Sequence, residues 1–110
     1  MRGTRAGNAG GMTYRTTRRA DQDIIDAYLH GAMRFGVAQA ERYHRDMIAT
    51  FGLLAAHPGM ARLRAELVPP VRLHPYGAHL IVYRDAADGI LIIRLLHGRQ
   101  DWERLPGGMA

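Results

Sequence analysis

The sequence predicts an α+β fold in two layers: an N-terminal strand, a helical hairpin, then an antiparallel β-meander. Three observations point there. Apolar residues recur at helical spacing from Ile24 to Ala55, interrupted once at Gly36. After Pro69 and Pro70 the alternation changes to the two-residue period of a strand. The chain has 110 residues, which suits one compact domain, with 47% hydrophobic residues to build its core. We therefore expect a single domain over residues 12–104, a disordered tail over 1–11 and a flexible tail over 105–110.

The first eleven residues are rich in Gly, Arg and Asn and carry no periodicity. Met12 to Thr17 reads as a short strand, with Tyr14 and its threonines favouring extended geometry. Thr17 suits a helix N-cap, and Asp21 and Asp23 favour the positive end of the helix dipole. Ile24, Ile25, Tyr28 and Leu29 fall on one helical face, extended by Ala32 and Met33, and Gly36 stops that helix. A second helix starts near Val37 with the apolar face Ala40, Tyr43, Met47, Ile48, Phe51, Leu54 and Ala55. His57, Pro58 and Gly59 end it. The two helices form a hairpin about a glycine turn.

Met60 to Leu67 is expected as a helical turn. Val71 to His74 and His79 to Asp85 follow as strands, with Leu80 and Val82 on one face and His79, Ile81 and Tyr83 on the other. Asp88-Gly89 signals a hairpin turn. Ile90 to Leu96 is apolar on both faces, which marks a central strand. His97 to Arg104 should leave the sheet. A four-stranded sheet with the hairpin on one face results.

Composition narrows the chemistry. There is no cysteine, so disulfide and thiolate chemistry are excluded. No apolar run is long enough to cross a membrane, and the N-terminus lacks the apolar centre of a secretory signal; a cytoplasmic protein is expected. The net charge is +5, and all fifteen basic side chains are arginine. A positive balance suits an acidic partner, protein or nucleic acid; an arginine-rich codon bias explains the residue type but not the sign. No reader helix or aromatic stacking surface is evident, so sequence-specific DNA binding is not expected.

Nuclease chemistry by ribose hydroxyl attack needs an acid, a base and cations. The candidate set is His97, Arg94, Arg72 and Glu66, with His74 and His79 as further histidines. Against it, His79 shares a strand face with Ile81 and Tyr83 and reads as a hydrogen-bonded sheet residue. The six histidines lack metal-ligand spacing, so no metal or cofactor is expected. Arg94 is an anomaly in an apolar strand. It is either a binding residue or half of an ion pair with an acid such as Asp85 or Asp101. Trp102 is either a lid on the core or an interface anchor. Tyr28, Tyr43 and Phe51 have core spacing.

Several segments in fixed order carry a resemblance: Ala20-Asp21 with Asp23-Ile24, Tyr28, Gly36, Ala40 with Tyr43, FGLLAAHPGMARLRAEL, Arg72, YGAHLIVYR and DGILIIRLLHGRQDW. From Tyr14 to Asp101 the chain resembles the ParE branch of the RelE/ParE toxin superfamily. The resemblance implies the toxin of a type II toxin–antitoxin system, of the kind tied to plasmid stabilization, held silent by a ParD-like antitoxin. The antitoxin's C-terminal segment would lay a helix in the groove by the helical hairpin. ParE-like members inhibit DNA gyrase without catalysis; RelE-like members cut mRNA on the ribosome; a relative that only binds its antitoxin is a third possibility. His97 lies in LLHGR, which ParE-like chains also carry, and no tyrosine follows it.

The apolar stripes of the hairpin exceed what four short strands can cover. Antitoxin contacts are therefore expected at Ile25, Tyr28, Leu29, Met47, Phe51 and Leu54, with an acidic partner segment. Target contacts are expected at Arg94, Arg99, Trp102 and Arg104, which combine the residue types enriched in interface hot spots.

Overall fold

A computed structural model describes residues 6–9 and 12–98. The elements are β1 (Ala6–Ala9), β2 (Met12–Thr16), α1 (Arg18–Phe35), α2 (Val37–Ala56), a 3-10 turn (Pro58–Met60), β3 (Leu63–Arg64), β4 (Val71–Tyr76), β5 (His79–Ala86) and β6 (Gly89–His97). The strands form one six-stranded sheet in the order β1-β2-β6-β5-β4-β3. β2 runs parallel to β6, and every other neighbouring pair is antiparallel. The α+β class, the helical hairpin and the meander of β4, β5 and β6 stand as expected.

Three expectations are corrected. Residues 6–9, assigned to a disordered tail, form an edge strand on β2; such pairing uses backbone groups alone, which small residues supply as well as large ones. The helical turn over Met60–Leu67 is instead the 3-10 turn and β3, whose two residues pair with β4. Arg72 fixes this segment by donating to the Ala61 carbonyl at 2.7 Å, a tertiary bond that local propensity does not reveal. His97 does not leave the sheet but pairs with His79. The expected C-terminal course over 99–110 lies outside the described residues.

Thr17 caps α1 by accepting from the Ala20 N–H at 3.0 Å. Gly36 joins the helices at φ 94°, a conformation that favours glycine. The β5–β6 turn is Ala87-Asp88, and Gly89 opens β6. A Cβ on Gly89 would collide with the Thr13 carbonyl, so glycine is what lets β2 lie against β6 there.

Both helices cover one face of the sheet. The core there joins Tyr14, Ile24, Met47, Phe51 and Leu54 to Ile81, Tyr83, Ile90, Ile92 and Leu95. Tyr14 meets the Phe51 ring edge-on with centroids 5.5 Å apart. A second cluster of Val71, Leu80, Val82 and Leu96, with Leu67, Leu73 and Ile93 against it, lies on the opposite face. Central strand β6 thus carries apolar residues on both faces, as its sequence indicated.

Candidate functional site: the helical hairpin and the seam between α1 and β6

β2 pairs with β6 only from Gly89 to Ile92. Beyond that point the start of α1 takes over the strand edge. The Thr17 N–H donates to the Ile92 carbonyl at 3.0 Å, and the Thr17 hydroxyl donates to the Ile93 carbonyl at 2.8 Å. Asp23 then accepts from the Leu95 N–H at 3.0 Å, standing in for a backbone carbonyl. The Arg94 Nε donates to the same carboxylate at 2.8 Å. Both side chains are largely withdrawn from water, at 18% and 12% exposure for Arg94 and Asp23. Arg94 is therefore the ion-paired residue of the two readings, but its partner is Asp23. Asp85 pairs with Arg72, and Asp101 lies outside the described residues.

Above this pair three imidazoles from α1, β5 and β6 meet. The His97 ring stands edge-on to His79 at 5.1 Å and to His30 at 5.7 Å. His79 is buried and shares a 2.8 Å hydrogen bond between its Nδ1 and the Tyr43 hydroxyl. That hydroxyl also donates to the Tyr76 carbonyl at 3.1 Å and accepts from the Ala78 N–H at 3.2 Å. Burial, reinforced by His97 and His30, lowers the His79 pKa to about 4. His79 is the hydrogen-bonded sheet residue its alternation indicated. The cluster itself was not legible, because its members lie far apart in sequence and no spacing links them.

The set considered for nuclease chemistry is not assembled. Arg72 holds Asp85 and the Ala61 carbonyl. Glu66 holds Arg64 at 2.8 Å, which lowers its pKa. Arg94 holds Asp23. His97 and Arg72 face β5 residues His79 and Tyr83, about 13 Å apart along the strand. Among the described residues no group of three or more His, Cys, Asp or Glu side chains could hold a metal ion.

The hairpin residues divide sharply. Met47, Phe51 and Leu54 are fully buried under the helices, so they build the core and cannot touch an antitoxin in this conformation. The sequence overestimated the exposed stripe, because β2, β5 and β6 alone supply the core that buries these three side chains. Ile25 and Leu29 are about half exposed at 50% and 55%, and Met33 continues their line at 88%. They sit at i, i+4 and i+8 on α1, one helical stripe turned to solvent. Tyr28 borders it, donating to Glu41 on α2 at 2.6 Å. That bond raises the Tyr28 pKa. A groove runs along this line, bounded by Asp21, Ile25, Tyr28, Leu29, Glu41 and His44. On the other side of the hairpin a cavity of about 320 Å³ reaches from Tyr28, Phe35 and Ala40 to His79 and His97. His44 borders both, and its buried Nδ1 has no hydrogen-bond partner among the described residues. Met33, which periodicity placed on the α1 face, was not among the expected contacts, and exposed Phe35 and Val37 flank the Gly36 turn, outside either stripe. Arg99, Trp102 and Arg104 lie outside the described residues.

The family model of the ParE toxin of type II toxin–antitoxin systems, parDE, matches residues 14–102. The chain belongs to the ParE toxin family. It is 38% identical over 84 residues to Toxin ParE1 of Caulobacter vibrioides, covering 76% of this chain and 86% of that protein. Toxin ParE1 of Mycobacterium tuberculosis is 36% identical over 72 residues, 64% of this chain and 74% of that one. Its fold is similar to a chain of the chromosomal ParDE system from P. aeruginosa, with a TM-score of 0.69, 22% identity and coverage of 81% and 98% of the two chains. As a ParE-family chain it is the toxin component of a type II toxin–antitoxin system. Among its described residues no helix is long and apolar enough to cross a membrane.

Proposed function

We propose that this ParE-family toxin acts by binding DNA gyrase directly, without catalysis, and is silenced by a ParD-like antitoxin that covers the α1 stripe. One observation carries the antitoxin half: Ile25, Leu29 and Met33 form an exposed apolar line on a helix already packed on its other side. An amphipathic acidic segment laid along it would bury that line and meet the positive balance of the chain. The non-catalytic half is supported by Arg72, Arg94 and Glu66 each holding a structural partner. His97 stands edge-on to His79, whose pKa burial lowers to about 4. Arg99, Trp102 and Arg104 are proposed target contacts, and a chain cut at Gly98 should fold, bind antitoxin and fail on gyrase.

The test is gyrase supercoiling with purified toxin, alone and after mixing with the product of the neighbouring gene. Inhibition that the antitoxin reverses is expected. Intact supercoiling together with site-specific cuts inside codons of cellular transcripts would replace this reading with mRNA cleavage.

A further inference from the structure

The sheet has a face the helices do not cover, and the register draws an unexpected row across it. Arg15 on β2 stands beside Leu91 on β6, and Leu91 stands beside Arg84 on β5. The β4–β5 register, carried one residue past Arg72 and Tyr83, sets Val71 beside Arg84, and Val71 stands beside Arg64 on β3. All five share the outer face, but Val71 is fully buried there and Arg64 is largely withdrawn from water, so the part of the row that meets solvent is Arg15, Leu91 and Arg84. Tyr14, Ile90, Ile92 and Tyr83, their strand neighbours, point into the core under the helices, while Val71 belongs to the outer cluster. No spacing in the sequence connects these residues.

We propose that Arg15, Leu91 and Arg84 form a second part of the surface that grips the target, beside the C-terminal contacts proposed above, and that they take an acidic amphipathic helix of a protein. The proposal rests on the protein-binding reading above. Strands lie ~4.8 Å apart, so Arg15 and Arg84 stand ~10 Å apart with Leu91 between them. Two turns of α-helix advance about 11 Å. A helix laid across the strands can offer a carboxylate on every second turn and a small apolar residue on the turns between. Arg84 is exposed and makes no ion pair among the described residues. Arg15 holds Asp88, and both side chains are more than half exposed; such a surface pair exchanges for an incoming carboxylate at little cost. A nucleic-acid backbone would match the arginines but leave the partly exposed Leu91 between them without a partner. The α1 stripe lies on the other layer, so antitoxin and target need not share residues.

The experiment uses the full chain with Arg84→Glu, Arg15→Glu and the charge-retaining Arg84→Lys. Growth arrest on expression, gyrase supercoiling, antitoxin affinity and thermal midpoint are read for each. Either reversal should weaken arrest and supercoiling inhibition by about tenfold or more, Arg84→Lys by less than about threefold. Antitoxin affinity and the midpoint should hold. Two reversals that both retain full arrest overturn the proposal. So does loss of antitoxin affinity with arrest intact. A wild-type chain that arrests growth without touching gyrase sinks the gyrase reading, while the arrest assay still judges the row. A wild-type chain that arrests nothing overturns both.

Discussion

Replacing Arg94 by alanine should weaken the fold, not the grip on a target. Arg94 and Asp23 are 18% and 12% exposed, and the guanidinium meets the carboxylate at 2.8 Å and 3.4 Å. Breaking a fully buried pair costs ~3–5 kcal/mol, and an exposed one under about 1 kcal/mol. This pair lies between, so Arg94→Ala should cost ~1–3 kcal/mol. Asp23→Ala should cost more, because it also orphans the Leu95 N–H, a buried donor worth ~1–3 kcal/mol. With total stability of roughly 5–15 kcal/mol, both variants should still fold. Each kcal/mol lost should lower Tm by about 4–8 °C. Urea titration of both single variants and the double variant gives the coupling, expected at ~1–2 kcal/mol. Supercoiling inhibition, measured where each variant is folded, should stay within a few-fold of wild type. If Arg94→Ala leaves the urea midpoint unmoved and abolishes inhibition, the ion pair is incidental and Arg94 is a contact residue.

Four further outcomes follow from the geometry. His79 has its pKa lowered from 6.5 to about 4, so between those values the unfolded chain binds the extra proton; stability is full above about pH 6.5 and falls by up to ~3 kcal/mol as pH drops to 4, a slope that pH-dependent melts should find reduced in His79→Gln. Leu29→Asp, at a half-exposed position, should leave the melt near wild type while weakening antitoxin binding by about thirtyfold, as loss of an interface anchor does; unchanged affinity by calorimetry would place the antitoxin elsewhere. Phe51→Ala should cost ~3–5 kcal/mol by leaving a cavity under Tyr14, read as a lower urea midpoint. Gly89→Ala should cost more than ~1 kcal/mol by driving Thr13 off β6, with earliest amide exchange in β2.

The local rules read most of the architecture. Thr17 as cap, Gly36 as turn and the apolar run of β6 each act within a few residues, and each is where the sequence put it. What depended on distant partners was lost. The pairing of β3 with β4 is two residues long and held by an arginine bond to Ala61, which no periodicity encodes. The exposed α1 line was half legible: helical spacing located the apolar stripes but could not say how much of them the packing of the hairpin on the sheet would bury. Ile25 and Leu29 stayed outside; Met47, Phe51 and Leu54 did not. The histidine cluster joins α1 to two strands, the arginine row joins separate strands, and both are invisible until the packing and register are known.

Arg94 looked anomalous because strict alternation from Ile90 would drive it into the core. β6 does not alternate strictly. Its register with β5 shifts between Val82 and Tyr83, where Arg94 and Ile92 face consecutive β5 residues and Ile93 is extra. A bulge of one residue reverses the phase of everything after it. Ile90 and Ile92 point to the helices before it, and Leu95 does so after it, while Ile93 and Leu96 join the outer cluster. The same step presents the Leu95 N–H to Asp23 and brings His97 beside His79. One irregularity therefore sets Ile93 and Leu96 in the outer cluster and Leu95 in the inner one, and anchors α1 through a charged pair. The arginine in this apolar strand is better read as the mark of a phase change, with its acid on the helix that flanks the strand, than as a binding residue.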